Sequence, residues 1–371
     1  MEMLPVRYRL NVSTEDDAHD LAERIALEQS AELPKSVVDN LQPPPPTGQI
    51  VNISKRDAGD YELDINWPAS LFDGDKLQLV NVLFGNISLI PGIQLEYVDW
   101  NKVADLFPGP SLGISGFRES LQVPDRALSC TALKPVGLSS KELAEYLGRF
   151  ANAGVDIIKD DHGLTDQKSA PFNERLQLCS EAAANAEQKR GRPCCYVPNV
   201  TATAADLPKR LEACRDAGLH AVMITPHLTG LDALSQPAEF GLGVLAHPAF
   251  SGSMVVHTDS GLHPALLYGE LWRGFGADGV IYANSDGRFS YSKEDCEAIN
   301  FAACNRDLPW KPAWPIPAGG IDRETVPYWI QRYGRDTIFL IGGSLYEAPE
   351  GLEQATQKFC ESLQNNDHYG E

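Results

Sequence analysis

From residue 127 onward the chain repeats one unit eight times, a short and almost wholly apolar run followed by an amphipathic stretch. The runs fall at 127–133, 155–159, 195–199, 221–225, 243–247, 279–283, 315–318 and 338–341. Apolar runs that are continuous rather than alternating mark strands covered on both faces, as in a parallel sheet wrapped by helices. Helical periodicity lies between them at 140–153, 171–189, 204–218, 292–304 and 323–333. Eight units in about 245 residues match a closed (β/α)8 TIM barrel. A doubly wound open sheet is the alternative, and the eightfold count favours closure.

The region before residue 120 has another rhythm and reads as α+β. Residues 6–12 alternate apolar and polar, as a half-buried strand does, and 16–29 have helical spacing. Pro43-Pro44-Pro45-Pro46 forbids regular structure and favours an extended loop. Residues 61–67 and 77–84 supply further strand candidates, and Phe107-Pro108-Gly109-Pro110 closes the region as a loop. The division therefore falls at 110–125, giving an N-terminal domain of residues 1–120 and a barrel of residues 121–371.

Charge narrows the partners. The net charge of −20 repels nucleic acid and anionic membranes, so no nucleic acid and no membrane are expected as partners. An anionic substrate then needs a local positive site. The eight cysteines are scattered, without a Cys-x-x-Cys pair, which fits reduced thiols in a cytoplasmic protein. Met1-Glu2-Met3-Leu4-Pro5 does not resemble a signal peptide.

Barrel active sites lie at the C-terminal strand ends, and here those ends are polar or glycine-rich. The first strand ends in Lys134-Pro135, the second in Lys159-Asp160-Asp161-His162, the third in Asn199, the fourth in Thr225-Pro226-His227 and the fifth in His247-Pro248. The sixth leads into Asn284-Ser285-Asp286-Gly287-Arg288. The last two end in Ala318-Gly319-Gly320 and Gly342-Gly343-Ser344. Paired glycines let backbone N–H groups approach a phosphate closely, and two such pairs on consecutive strands point to a phosphate site. A single pair marks no more than a turn. Lys134 and Lys159 stand on adjacent strand ends. A buried lysine beside another cation loses its proton readily, so it serves as a base or reacts with carbon dioxide to give a metal-ligating carbamate. The plain alternative pairs Lys159 with Asp161 as a salt bridge.

Together these segments resemble the large subunit of ribulose-bisphosphate carboxylase, and more closely its RuBisCO-like (form IV) branch, over almost the whole chain. Leu133-Lys134-Pro135 is similar to the family's Lys-Pro-Lys segment, and Lys159-Asp160-Asp161-His162 to its Lys-Asp-Asp-Glu metal motif. Gly319-Gly320-Ile321 and Gly342-Gly343 resemble its phosphate loops, Gly85-Asn86 and Glu28-Gln29-Ser30 its N-terminal active-site segments. The resemblance implies a C-terminal (β/α)8 barrel with an N-terminal α+β, ferredoxin-like domain. It makes Lys159 the carbamylated lysine (CO2 bound as its carbamate), with Asp161 and His162 completing the set for Mg²⁺, or for Mn²⁺ or Co²⁺. Lys134 becomes the base and His247 the histidine near the substrate phosphate or carbonyl. Ala318, Gly319, Gly320, Gly342 and Gly343 become the phosphate loops, with Arg288 nearby. Glu28 and Asn86 would complete the site of the other subunit in a homodimer.

The departures from the family pattern carry the functional expectation. His162 stands where carboxylases have glutamate, so the site loses a negative charge and gains a softer donor or an acid–base group. Val136 replaces the second lysine and Pro248 a phosphate-binding arginine. The strand-six loop has Arg288 and no lysine. These losses argue against carboxylation and for metal-dependent enolisation of a phosphorylated ketose, most like isomerases of 5-methylthioribulose 1-phosphate in sulfur salvage. The alternatives are another form IV chemistry, either an enolase or a decarboxylase or transcarboxylase on a sugar-acid phosphate, and a non-catalytic regulatory relic.

Overall fold

The computed structural model describes residues 2–289 and 291–364. Two compact units divide the chain. The first comprises residues 1–107, 252–267 and 307–309, and the second 108–251, 268–306 and 310–371.

In the first unit the elements run β1 (Met3–Leu10), helix Glu15–Glu28, β2 (Gln49–Lys55), β3 (Tyr61–Pro68), helix Lys76–Phe84 and β4 (Ile93–Val98). Four of the sheet's strands run in the order β4-β1-β3-β2 with antiparallel pairs, the ferredoxin-like arrangement. β1 alternates half-exposed and buried residues, so Leu4, Val6, Tyr8 and Leu10 line the core face.

Residues 77–84, a strand candidate from their apolar run, form a helix instead. Asp75 caps it, accepting from the N–H groups of Leu77 (2.8 Å) and Gln78 (3.1 Å). Leu79, Val82 and Leu83 are buried while Leu77 is 52% exposed, which is helical spacing that a short run conceals. β2 escaped the sequence reading because it is exposed along almost its whole length and shows no alternation.

The second unit holds eight parallel strands: β5 (Leu128–Leu133), β6 (Ile157–Asp160), β7 (Cys195–Val197), β8 (Ala221–Ile224), β9 (Gly243–Ala246), β11 (Gly279–Ala283), β12 (Trp314–Ala318) and β13 (Ile338–Leu340). β10 (Gly261–Leu262) belongs to the first unit, pairing with β4. The ring runs β7-β6-β5-β13-β12-β11-β9-β8. A parallel bridge between Asn199 and Met223 closes it, with Met223 N–H donating to Pro198 O (2.9 Å) and Val200 N–H to Met223 O (3.0 Å). Each of the eight runs read from the sequence overlaps one barrel strand, with β6 ending one residue after its run and β12 beginning one residue before.

The core explains why only one end of the barrel is open to chemistry. Phe117 and Leu121, from the helix Gly113–Leu121, pack with Leu128, Ile157, Val197, Leu245, Ile281 and Trp314 in one buried cluster. Asp278, just before β11, fastens that helix by accepting from the N–H groups of Leu112 and Gly113 (both 2.7 Å) and of Val244 (2.8 Å). The N-terminal strand ends are thereby filled, leaving the C-terminal ends for a site.

Candidate functional site

β6 delivers its polar residues to opposite sides, because side chains alternate along a strand. Asp160 faces away from the barrel interior. It is wholly buried, pairs with Arg175 (3.1 Å) and accepts from the Tyr196 hydroxyl and the Asn199 N–H, both at 3.0 Å. Arg175 also donates to the carbonyls of Ala170 (2.6 Å) and Thr165 (2.8 Å), which fixes the loop after the strand. Asp160 is thus a structural anchor.

Lys159 is 3% exposed and donates through Nζ to Asp160 O (2.9 Å). Burial pushes its pKa below the usual lysine value, and Lys134 adds to this, against the opposing charge of Asp161. Lys134 Nζ donates to Asp161 Oδ2, forming an ion pair. Burial alone would raise the Asp161 pKa. The hydrogen bonds from Lys134 and from the Gly163 N–H (3.0 Å) outweigh it and hold the carboxyl below its ordinary range. His162 Nδ1 lies 3.3 Å from Asp161 Oδ1.

The His162 ring stacks on that of His247 with centroids 4.5 Å apart and planes 14° from parallel. Burial lowers the His247 pKa well below the usual value, with help from Lys159 and His162. It also lowers that of His162, where the two lysines add to burial and Asp161 opposes it. Both rings are therefore neutral at pH 7. His247 Nδ1 accepts from the Ala249 N–H (3.1 Å), so its proton sits on Nε2.

The glycine loops stand on the neighbouring strands. A Cβ on Gly342 would lie 3.8 Å from Lys134 Cε, which places this loop against the lysine. Gly320 has φ +67°, and a Cβ there would come within 2.4 Å of Ser285 O, so no side chain fits. The loops after β11 and β12 thus lie back to back. Ala318, the last residue of β12, accepts from the Asn284 N–H (3.1 Å), and Gly319 also has positive φ. Arg288 is exposed, with its guanidinium over the Phe289 ring at 5.7 Å. Tyr346 was not singled out from the sequence. Its hydroxyl accepts from the Lys134 N–H and donates to Ala132 O, both at 3.0 Å, bracing the end of β5.

In the first unit, Asn86 Nδ2 donates to Glu28 Oε1 (3.1 Å) and Glu32 Oε1 (3.3 Å). Gln29 brings them together. Its buried amide donates to the carbonyls of Asn81 (2.6 Å) and Val82 (2.8 Å) and accepts from the Ile87 N–H (3.1 Å). Glu32, the second carboxylate on Asn86, was also missed. Its only signal is closeness in sequence to Glu28.

Among the described residues no group of three or more His, Cys, Asp and Glu converges as a metal site. Asp161 and His162 supply two adjacent donors, and the residue that would supply a third is Lys159. Its buried amine, with its lowered pKa, is suited to form a carbamate, and with that group in place the residues fit a hard divalent cation. No helix among the described residues is long and apolar enough to cross a membrane.

Residues 113–363 match the family model for the ribulose bisphosphate carboxylase large chain, catalytic domain. A ribulose bisphosphate carboxylase-like protein 1 from Rhodopseudomonas palustris is 37% identical, covering 91% of both chains. A protein from Rhodospirillum rubrum named 5-methylthioribulose-1-phosphate isomerase is 36% identical over 92% of this chain and 91% of its own. A Rubisco-like protein from Rhodopseudomonas palustris superposes with a TM-score of 0.89 at 32% identity, over 100% of both chains. Relatives at 28% identity, from Shouchella clausii (85% and 86% covered, its name qualified as putative), and at 30%, from Geobacillus thermodenitrificans (80% and 73%), are named 2,3-diketo-5-methylthiopentyl-1-phosphate enolases. The chain belongs to the ribulose-bisphosphate carboxylase large-chain family, among its RuBisCO-like members.

Proposed function

We propose that this chain is a metal-dependent isomerase that moves a proton within a phosphorylated ketose, 5-methylthioribulose 1-phosphate, and does not fix carbon dioxide. The observation that carries this reading is the cluster at the ends of β5 and β6. A base-bearing Lys134, a buried Lys159 and Asp161 meet there, with His162 in the position of the carboxylases' third acidic ligand. Lys159 as its carbamate, Asp161 and His162 would hold Mg²⁺, which polarises a carbonyl and stabilises negative charge on the adjacent oxygens.

The residues divide the remaining work. Lys134 Nζ, released from its ion pair with Asp161, takes a carbon-bound proton and returns it to another carbon. Tyr346 fixes the backbone from which Lys134 projects. His247 presents Nε2–H as a neutral donor to a substrate oxygen. Backbone N–H groups at Gly319, Gly320, Gly342 and Gly343 take the single phosphate. Glu28 and Asn86 of a second copy complete the site, which makes the working unit a homodimer.

A second reading is tautomerisation of a 2,3-diketo-5-methylthiopentyl phosphate, supported by the relatives named as enolases of that substrate. One experiment separates the two. Purified protein with bicarbonate and Mg²⁺ is given each substrate in D₂O and followed by ³¹P and ¹H NMR. A new phosphate resonance with deuterium at carbon is expected from the ketose phosphate. Turnover of the diketone alone would transfer the assignment to the enolase reading, and turnover of neither would remove both.

A further inference from the structure

Phe250 and Phe289 are large apolar side chains left in the open at the C-terminal end of the barrel, 76% and 61% exposed. Phe250 lies three residues past His247, in the loop after β9, and Phe289 lies in the loop after β11. Phe250 also has φ +69°, a conformation that a bulky residue adopts at a cost and glycine adopts freely. Strain kept in a loop beside a reaction centre points to a use for the side chain.

A chain of hydroxyls, buried at Ser251 and Tyr268 and half-buried at Tyr291, connects the two loops. Ser251 Oγ donates to Pro248 O (2.6 Å), so the Tyr268 hydroxyl, 2.8 Å from Ser251 Oγ, must donate to it. The Tyr291 hydroxyl, 2.9 Å from that of Tyr268, must then donate in turn. The chain runs one way, from Tyr291, two residues past Phe289, to Ser251, the residue after Phe250. Charge differs between the two loops, the one after β11 carrying Asp286 and Arg288. His247-Pro248-Ala249-Phe250-Ser251 contains no lysine or arginine, and Arg288 lies over the Phe289 ring. The loops suited to phosphate are those after β12 and β13.

We propose that Phe250 and Phe289 form the specificity subsite for the uncharged thioether end of the substrate, at a spacing set by the Tyr291–Tyr268–Ser251 hydroxyl chain. This rests on the phosphorylated-ketose reading for the identity of the tail, but its test does not need turnover. Heptyl phosphate has the chain length of a methylthiopentyl phosphate, and propyl phosphate ends before the tail.

Calorimetry on the full-length protein should show heptyl phosphate binding at least about tenfold more tightly than propyl phosphate, the gain from burying roughly two methylenes. Phe250→Gly and Phe289→Leu should each cut that preference to about threefold or less and leave propyl phosphate binding unchanged. Phe250→Gly should also raise the melting temperature, which separates lost recognition from lost folding. Tyr268→Phe removes one hydroxyl and no apolar surface. It should lower the preference while keeping the propyl affinity.

Equal binding of the two phosphates by the wild type would overturn the subsite. So would a preference that survives both phenylalanine substitutions, including the case where they change subunit association in light scattering. A heptyl preference lost on substitution, in a protein that does not turn over the methylthio ketose, would keep the subsite and remove the isomerase reading.

Discussion

Two buried carboxylates sit at opposite ends of the same barrel, and their partners tell them apart. Asp278, at the N-terminal end, takes three backbone N–H groups at 2.7–2.8 Å and a Ser111 hydroxyl at 3.3 Å. None of these donors can change charge, and the arrangement holds a helix over the barrel floor. Asp161, at the C-terminal end, takes a lysine Nζ and one N–H and lies beside an imidazole. Each of those side chains can gain or lose a proton. Both carboxylates are buried, and what separates them is the titratability of their partners.

The sharpest way to break the comparison is at Lys159. Lys159→Met keeps the apolar stem and removes the amine. Activity should fall by about a thousandfold or more, the scale on which metal assistance stabilises charge. Mg²⁺ binding measured by calorimetry with bicarbonate should vanish while the melting temperature holds. Retained metal binding would separate Lys159 from the metal site.

Next come the structural anchors. Arg175→Met leaves Asp160 buried and unpaired, which should cost about 3–5 kcal/mol by denaturant unfolding. Asp278→Ala orphans three N–H groups and should cost about 3 kcal/mol, with kcat unchanged where the protein stays folded. A large kcat loss in Asp278→Ala below its melting temperature would mean that the two ends are coupled.

The smallest effect is a pH dependence. His227, after the end of β8, has its pKa lowered by burial, and its Nε2 has no hydrogen-bond partner among the described residues. The folded state therefore binds fewer protons than the unfolded chain below the unperturbed histidine value near 6.5. The stability from keeping it neutral is present above that pH and is lost as pH falls through it, by at most about 1.4 kcal/mol per pH unit. Melting curves from pH 8 to 5 should show this decline, and His227→Gln should flatten it. An unchanged slope would assign the decline to other groups.

The barrel was legible because strands covered on both faces are written as unbroken apolar runs, and each of the eight runs overlaps one strand. The same cue misled at residues 77–84, where the run is too short to separate helix from strand and a cap at Asp75 decides. β2 left no cue because backbone pairing at an exposed edge leaves no mark on side-chain polarity. The stretch Lys159-Asp160-Asp161-His162 stands out in the sequence as a candidate site, but the anchoring role of Asp160 does not. That depends on Arg175, Tyr196 and Asn199, which are 15, 36 and 39 residues away. Tyr346, 212 residues from the lysine backbone it braces, is the same kind of long-range fact.

The central claim is that Lys134 moves a substrate proton beside Lys159, Asp161 and His162. Its most direct test is the rate of deuterium entry from D₂O into 5-methylthioribulose 1-phosphate, comparing the wild type with Lys134→Met under equal metal and bicarbonate. The account predicts exchange by the wild type and a loss of about 100- to 10,000-fold in the variant, with Mg²⁺ still bound. Exchange at the wild-type rate in Lys134→Met would contradict it.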